Sequence, residues 1–220
     1  MTDIFHEIEE DLRRERFRRL WDRYGLYLIL LCVAVVAAAG AWSGYKYWTQ
    51  KQSEASGARF EAASTLIAEG KTKEAEAALD ALAKDGTAGY RVLARFRDAG
   101  LLAGSDRAAA VAAYDALSTD ASVGAILQDV ARVRAALLLV DSAPLQEMVQ
   151  RMQPLADGTG AMRHSARQIL ALAQFKAGDL AAANKIARSI MEDPETPPAI
   201  RNQGQLIRTL TAAAEAASAP

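Results

Sequence analysis

"RRLWDRYGLYLILLCVAVVAAAGAWSGYKYW", residues 18–48, decides how the whole chain is organised. Between Arg23 and Lys46 lie twenty-two residues without a formal charge. As an α-helix, residues 24–45 would reach about 33 Å at ~1.5 Å per residue. The hydrocarbon core of a bilayer is about 30 Å thick. A core helix of a water-soluble domain keeps some polar face, and this stretch has none. All three tryptophans, Trp21, Trp42 and Trp48, fall at its ends, as do Tyr24, Tyr27, Tyr45 and Tyr47. Amphipathic rings gather at headgroup depth, so Trp21 and Tyr24 on one side and Trp42, Tyr45 and Trp48 on the other read as interface anchors. A transmembrane helix is the reading that follows.

A secretory signal peptide is the rival. Residues 26–36 would form its apolar region and Ala37-Ala38-Ala39 its cleavage site. The preceding segment argues against it. That segment is long and carries seven acidic residues, whereas export signals open short and basic. A second aromatic belt would also have no use after cleavage.

Six arginines (Arg13, Arg14, Arg16, Arg18, Arg19, Arg23) precede the span, against Lys46, Lys51 and Arg59 after it. The positive-inside rule then keeps the N-terminus in the cytoplasm. The remainder lies outside the cytoplasm, which in a Gram-negative cell is the periplasm of the inner membrane. Residues 1–23 read as a charged cytoplasmic leader, a helix with Phe5, Ile8 and Leu12 on one side. Its arginines sit where anionic headgroups attract them.

Composition narrows the rest. Of 220 residues 51% are hydrophobic, only 6% are aromatic, and alanine dominates, which favours helix throughout. A net charge of −1 gives no general attraction to nucleic acid. The single cysteine, Cys32, lies in the span, so no intramolecular disulfide is possible.

Beyond residue 58 the sequence repeats. "AALDALAKD" from Ala77 returns as "AAYDALSTD" from Ala112, and "LARFRDAGLL" from Leu93 as "VARVRAALLL" from Val130, offsets of 35 and 37 residues. "DGT" at Asp85 returns at Asp157, two periods later, and an Ala-Arg pair recurs at Arg95, Arg132 and Arg167. Each period holds two amphipathic patterns at i, i+3, i+4, i+7. The first helix of each pair is expected to bury Phe60, Ala63 and Ile67, then Leu93, Phe96 and Gly100, then Val130, Val133, Leu137 and Val140, then Ala166, Ile169, Leu170 and Ala173. The second helices are marked by Ala75, Ala78, Leu79 and Leu82, by Ala110, Ala113, Tyr114 and Leu117, by Leu145, Met148, Val149, Met152 and Leu155, and by Ala183, Ala187 and Ile190. Breaks fall at Gly70, at Gly104 to Asp106, at Asp141 to Pro144 and at Gly178-Asp179. Ser105 or Asp106 is a natural N-cap, and Ser142 is expected to cap the helix that carries Pro144 in its first turn. After "DPETPP", one closing helix to about Ala214 would turn Ile200, Ile207 and Leu210 inward.

A helix pair of about 34 residues with small residues at fixed places is the tetratricopeptide pattern. "LALAQFKAGDLAAANKIARSIMEDP" from Leu170 matches it best, with Ala171, Gly178 and Ala183 where small side chains are needed. The leader, the anchor with its "GYKYW" exit and the short degenerate stack together resemble the YfgM-like family, whose domain is described as an ancillary SecYEG translocon subunit or cell-division-coordinator tetratricopeptide domain. The resemblance covers essentially the whole chain. It implies a bitopic inner-membrane protein with periplasmic repeats. The implied partners are Sec translocon subunits and a membrane-anchored periplasmic chaperone of the prolyl-isomerase type.

The expected fold is therefore all-α, a single N-terminal transmembrane helix followed by a tetratricopeptide-like α-solenoid of about four helix pairs and a C-terminal capping helix. Its parts are a leader (1–23), the span (24–45), a juxtamembrane linker (46–57), the repeats (58–214) and a flexible tail (215–220). His6 and His164 would lie on opposite sides of the membrane, and no phosphate loop, zinc motif or catalytic constellation is present, so no catalytic, cofactor or metal residue is expected. Binding remains, with protein partners and neither nucleic acid nor a small-molecule substrate. If Gly70, Ser105, Ala143 and Gly178 are equivalent, Phe60, Arg95, Val133 and Gln168 form one groove-facing row and Ile67, Leu102, Val140 and Phe175 another. Packing between pairs is the competing assignment for these side chains. The expected role is a Sec-linked chaperone adaptor, with an envelope or cell-division adaptor for peptidoglycan-synthesis proteins as the alternative. A soluble hydrolase released from a signal would require a mature N-terminus near Gly40.

Overall fold

The computed structural model describes the backbone of residues 3–218 and the side chains of Arg18 and of residues 21–214. Among the described residues the chain is all-α. Its helices are α1 (Asp3–Ala68), α2 (Thr72–Asp85), α3 (Ala88–Ser105), α4 (Arg107–Thr119), α5 (Ala125–Leu139), α6 (Leu145–Ala156), α7 (Arg163–Lys176), α8 (Leu180–Glu192) and α9 (Pro198–Ser218), with one 3-10 turn at Ala121–Val123. The expected apolar side of the leader (Phe5, Ile8, Leu12) lies outside the residues whose side chains are described. The backbone of α9 continues past Ala214 to Ser218, and Ala219 and Pro220 lie outside the described residues.

Two compact units divide the chain, Met1–Ala55 and Ser56–Pro220. In the first, α1 contains an 18-residue window of mean hydropathy 2.3, of which 6% is buried. By length and composition it is one helix able to cross a membrane. Leu28, Ile29, Leu30, Val33 and Val36 all stand exposed along it. In water each would forgo about 1.5–3 kcal/mol of burial, a penalty that lipid removes. Trp21, Tyr24, Trp42, Tyr45 and Trp48 are exposed at the two ends of this stretch. Lys46 lies 5.8 Å from the centre of the Trp42 ring and Lys51 5.9 Å from that of Tyr47.

The second unit takes the last turns of α1 as the first helix of a stack. Consecutive helices pack as antiparallel neighbours because their connections are only a few residues long. The turns are built from the expected breakers. After α1 and α7, Gly70 (φ +76°) and Gly178 (φ +83°) adopt the left-handed conformation that L side chains resist. Lys71 N–H bonds Leu66 O, and Asp179 N–H bonds Gln174 O. These six-to-one bonds satisfy carbonyls that the helix ends leave open. Asp106 caps α4, its carboxylate accepting Ala109 N–H at 3.0 Å, and Asp179 caps α8 through Ala182 N–H at 2.9 Å. Ser142 does not cap α6. Pro144 occupies the N-cap position, and the Ser142 hydroxyl instead donates back to Leu139 O. Helix α6 starts one residue after the proline, which leaves Ser142 too far upstream.

The core is a chain of clusters between neighbouring pairs. Ala63 of α1 meets Leu79 and Leu82 of α2 and Ala94 of α3. Tyr114 and Leu117 of α4 lie with Val92 and Ala99 of α3 and Ala131 and Ala135 of α5. Met148 and Met152 of α6 fill the space between α5 and α7. Ala171, Ala183, Ala187 and Ile207 join α7, α8 and α9. The best repeat match thus has its small residues Ala171 and Ala183 fully buried where helices cross. At Gly204 the approach is closer still, since an added Cβ would meet Ile190 Cγ2 at 3.1 Å and Ala187 O at 3.3 Å.

Four expected core positions are corrected. Leu93, Gly100 and Leu137 on the first helices, and Leu210 on α9, face solvent. The buried arc of α3 runs through Val92, Phe96 and Ala99, and that of α9 through Gly204, Ile207 and Thr211. The periodicity was correct, but its phase was displaced by about one residue.

Truncation separates the two arcs. Leu79→Ala should lower stability by about 2–5 kcal/mol, whereas Leu137→Ala should change it by less than about 0.5 kcal/mol, measured by denaturant unfolding of the full-length protein in detergent.

Candidate protein-binding surface

The eight expected groove positions form no open groove. Phe60 and Ile67 pack on the first core cluster, and the Phe60 ring lies 6.1 Å from that of Tyr90. Val133 is a core residue and Val140 packs against the same cluster. Phe175 packs on the cluster joining α7 to α9. Leu102 and Gln168 are half-buried. Arg95 is committed to Asp120 at 2.6 Å. The reason is geometric. The residue after each repeated arginine falls on an arc turned into the stack, as Phe96 does in its 6.0 Å contact with the Tyr114 ring of its own pair.

The recurring Ala-Arg pair marks a structural device. Arg59 holds Asp85 at 2.8 Å, Arg95 holds Asp120 at 2.6 Å and Arg167 holds Asp193 at 2.9 Å. In each case an arginine on the first helix of a pair reaches the aspartate that ends the second. Asp120 also accepts Ser122 N–H at 2.9 Å and the Ser122 hydroxyl at 2.7 Å. These serine bonds, with Arg95 beside them, hold its carboxyl at about 2, below the ordinary 3.8. Asp193 is lowered by the Glu195 N–H and by Arg167. Beside it, His164 is buried, with Nδ1 3.1 Å from Thr196 Oγ1, and burial together with Arg163 pushes its pKa down. Asp98 is raised, chiefly by burial and then by Glu76 and Asp80 on α2.

What remains open is the outward arc of the first helices. Leu93 and Arg97 lie on α3, Ile126, Leu127, Arg134 and Leu137 on α5, and Leu172 and Lys176 on α7. Counted from the repeated arginines, Arg97 matches Arg134, and Leu137 matches Leu172. Leu93 is 45% exposed, Leu137 46%, Leu172 36% and Ile126 69%. Arg97 and Arg134 make no hydrogen bond or ion pair among the described residues. Exposed aliphatic side chains at matched positions on successive helices mark an interaction surface more than isolated ones do. Among the described residues, no group of three or more His, Cys, Asp or Glu is placed to hold a metal ion.

A stack of helical hairpins with apolar residues on the open arc of its first helices defines a repeat scaffold for protein–protein interaction. A tetratricopeptide repeat-like domain matches residues 18–158, more than half of the chain, and the protein belongs to that family. The matched region begins ahead of the apolar stretch and ends after α6, so α7 to α9 extend the same architecture beyond it. Neither the curated proteins nor the solved structures contain a match.

The Asp120 staple makes a signed prediction. An unfolded aspartate titrates near 3.8 and the folded one near 2. The unfolded state therefore takes up protons first, and the stabilisation is complete above about pH 4 and lost as pH falls toward about 2. Asp120→Asn should flatten the acid limb of a plot of unfolding midpoint against pH while leaving its shape above about pH 5 unchanged.

Proposed function

We propose that the chain is a membrane-tethered scaffold that binds protein segments along the open arc of α3, α5 and α7. The observation that carries this reading is the set of exposed leucines and isoleucine beside two unpaired arginines. A complementary partner presents an apolar stripe flanked by carboxylates. The apolar span of α1 is the proposed tether. It would hold a weak binding face at high effective concentration beside other membrane-bound proteins.

The finer reading places residues 1–23 in the cytoplasm and the repeat unit in the periplasm of the inner membrane, with 24–45 as the span and 46–57 as its exit. The arginine excess before the span supports that orientation. The partners in this reading are Sec translocon subunits and a membrane-anchored periplasmic chaperone, with secretory proteins passed between them. Its support is the resemblance of leader, anchor and repeat stack to the YfgM-like family. Residues 215–220 are proposed as a flexible tail.

Two measurements test these levels separately. A photo-crosslinking residue at Leu137 or Leu172 in intact cells should yield discrete adducts containing translocon subunits, whereas one at Ala116 on α4 should not. Equal labelling at all three positions would remove the proposed surface, and adducts confined to septal peptidoglycan-synthesis proteins would favour the cell-division role. For orientation, protease added to spheroplasts should digest the repeat unit, and inverted vesicles should protect it.

A further inference from the structure

The ion-pair device that recurs through the stack is missing from one pair, and a cleft lies at that place. By spacing, Arg132 should hold Asp157 as Arg95 holds Asp120, both pairs being twenty-five residues apart. It does not. Asp157 accepts from Gln153 at 2.8 Å, and Arg132 makes only a same-helix pair with Asp129 at 2.9 Å and a 3.5 Å contact to Ser118 O. The helix ends differ from one another, and Asp85, the last residue of α2, reaches Arg59 without an extended turn of its own. Asp120 and Asp193 end their helices in extended conformation (ψ 112° and 113°), and each folds back to bind an N–H two residues on. Asp157 keeps helical angles (φ −84°, ψ −15°), so its carboxylate lies along α6 and faces Gln153.

Arg132 is consequently left with unused donors on a side chain 44% exposed. It lines a cleft of about 410 Å³ together with Asp115, Ser118, Gln150, Arg151, Pro154 and Leu155. A second hollow of about 160 Å³ adjoins it and shares Arg132, Pro154 and Leu155. Pro154 lies inside α6 and has no N–H, so the Gln150 carbonyl loses its helical partner at the cleft wall. The other arginine of the larger cleft, Arg151, is already committed to Asp115, at 2.8 and 3.1 Å, and to Glu147 at 2.9 Å. The cleft thus offers one underused guanidinium, a backbone acceptor without its i+4 donor and an apolar wall, beside an Asp115 carboxylate already neutralised by Arg151. A same-helix pair at i, i+3 between partly exposed side chains is weak, so Asp129 is a weak competitor.

We propose that this cleft is a second binding site, separate from the open arc, that takes an aspartate or glutamate side chain of a partner polypeptide. The incoming carboxylate occupies the position that Asp85, Asp120 and Asp193 fill in the other pairs. A neighbouring apolar residue of the partner packs on Pro154 and Leu155, and a backbone N–H of the partner bonds the Gln150 carbonyl. The three intact staples show that an arginine at this place in the hairpin is positioned for a carboxylate. The third pair supplies the arginine without a carboxylate from the following helix end.

The test uses the full-length protein in lipid nanodiscs and a fluorescein-labelled, C-terminally amidated peptide, Ala-Leu-Glu-Leu-Ala, followed by anisotropy. Saturable binding is expected, weakened at least about tenfold by Arg132→Gln, since a charge-assisted hydrogen bond is lost. Asp129→Asn removes the competitor and should tighten binding up to about twofold, a gain that damage to the fold would not produce. Arg188→Gln on α8, outside both surfaces, should leave it unchanged, and loss of binding with Arg134→Gln but not with Arg132→Gln would overturn the proposal by assigning the peptide to the open arc. Equal binding of the Ala-Leu-Gln-Leu-Ala amide, or insensitivity to both Arg132→Gln and Asp129→Asn, would overturn the proposal. Binding only of a glutamine peptide with a free C-terminus would also overturn it, by replacing the side-chain occupant with a chain end.

Discussion

Close approach of helix backbones is the constraint on which the repeat unit depends. Ala63, Ala75, Ala94, Ala110, Ala131, Ala166, Ala171, Ala183 and Ala187 are all fully buried, one or more on each helix from the end of α1 to α8 apart from α6. A methyl at such positions lets a facing leucine, isoleucine or methionine enter between two helices without a void. Where the approach is tighter, glycine replaces alanine. At Gly57 an added Cβ would lie 2.7 Å from the Tyr90 hydroxyl, and at Gly204 it would press on Ile190. The large residues Leu79, Leu117, Met152 and Ile190 supply the buried area, and the small ones decide that this area can form.

The hairpins were legible in the sequence because their turns and second helices carry unambiguous signals. A second helix buries one stripe, and Leu79 with Leu82, or Ala187 with Ile190, announces it. The first helices were harder to read. Each packs against its own partner and against the next pair, and it keeps aliphatic residues on the third side as well. Around α5 the residues Ile126, Val130, Val133, Leu137 and Val140 are all apolar, so a window of 3.6 periodicity cannot say which arc is buried. Val133 fits both a buried face and a groove row by sequence, and it is buried, whereas Leu137 of the same pattern is exposed. The open arc could have been found from Arg97 and Arg134, since a charged side chain at matched positions of two helices points to solvent.

The arginine staples lay between these cases. Their halves were visible as a recurring Ala-Arg and a recurring aspartate, but their pairing spans about twenty-five residues and required the fold. Asp157 could not have been distinguished from Asp120 by composition or spacing. What separates them is a backbone angle, set by whether α6 ends or runs on for another residue toward Gly158 and Gly160. An extended turn accompanies the closed staples at Asp120 and Asp193, whereas Asp85 reaches Arg59 from the last residue of α2 itself.

The chain of small core clusters has a mechanical consequence. Each cluster joins only adjacent helices, so the stack holds together as links rather than through one shared centre. Helix α9 rests chiefly on α8 and α7. Heat or tension would peel this end first and loosen the rest link by link, so a damaged terminal hairpin need not destroy the binding faces on α3 and α5.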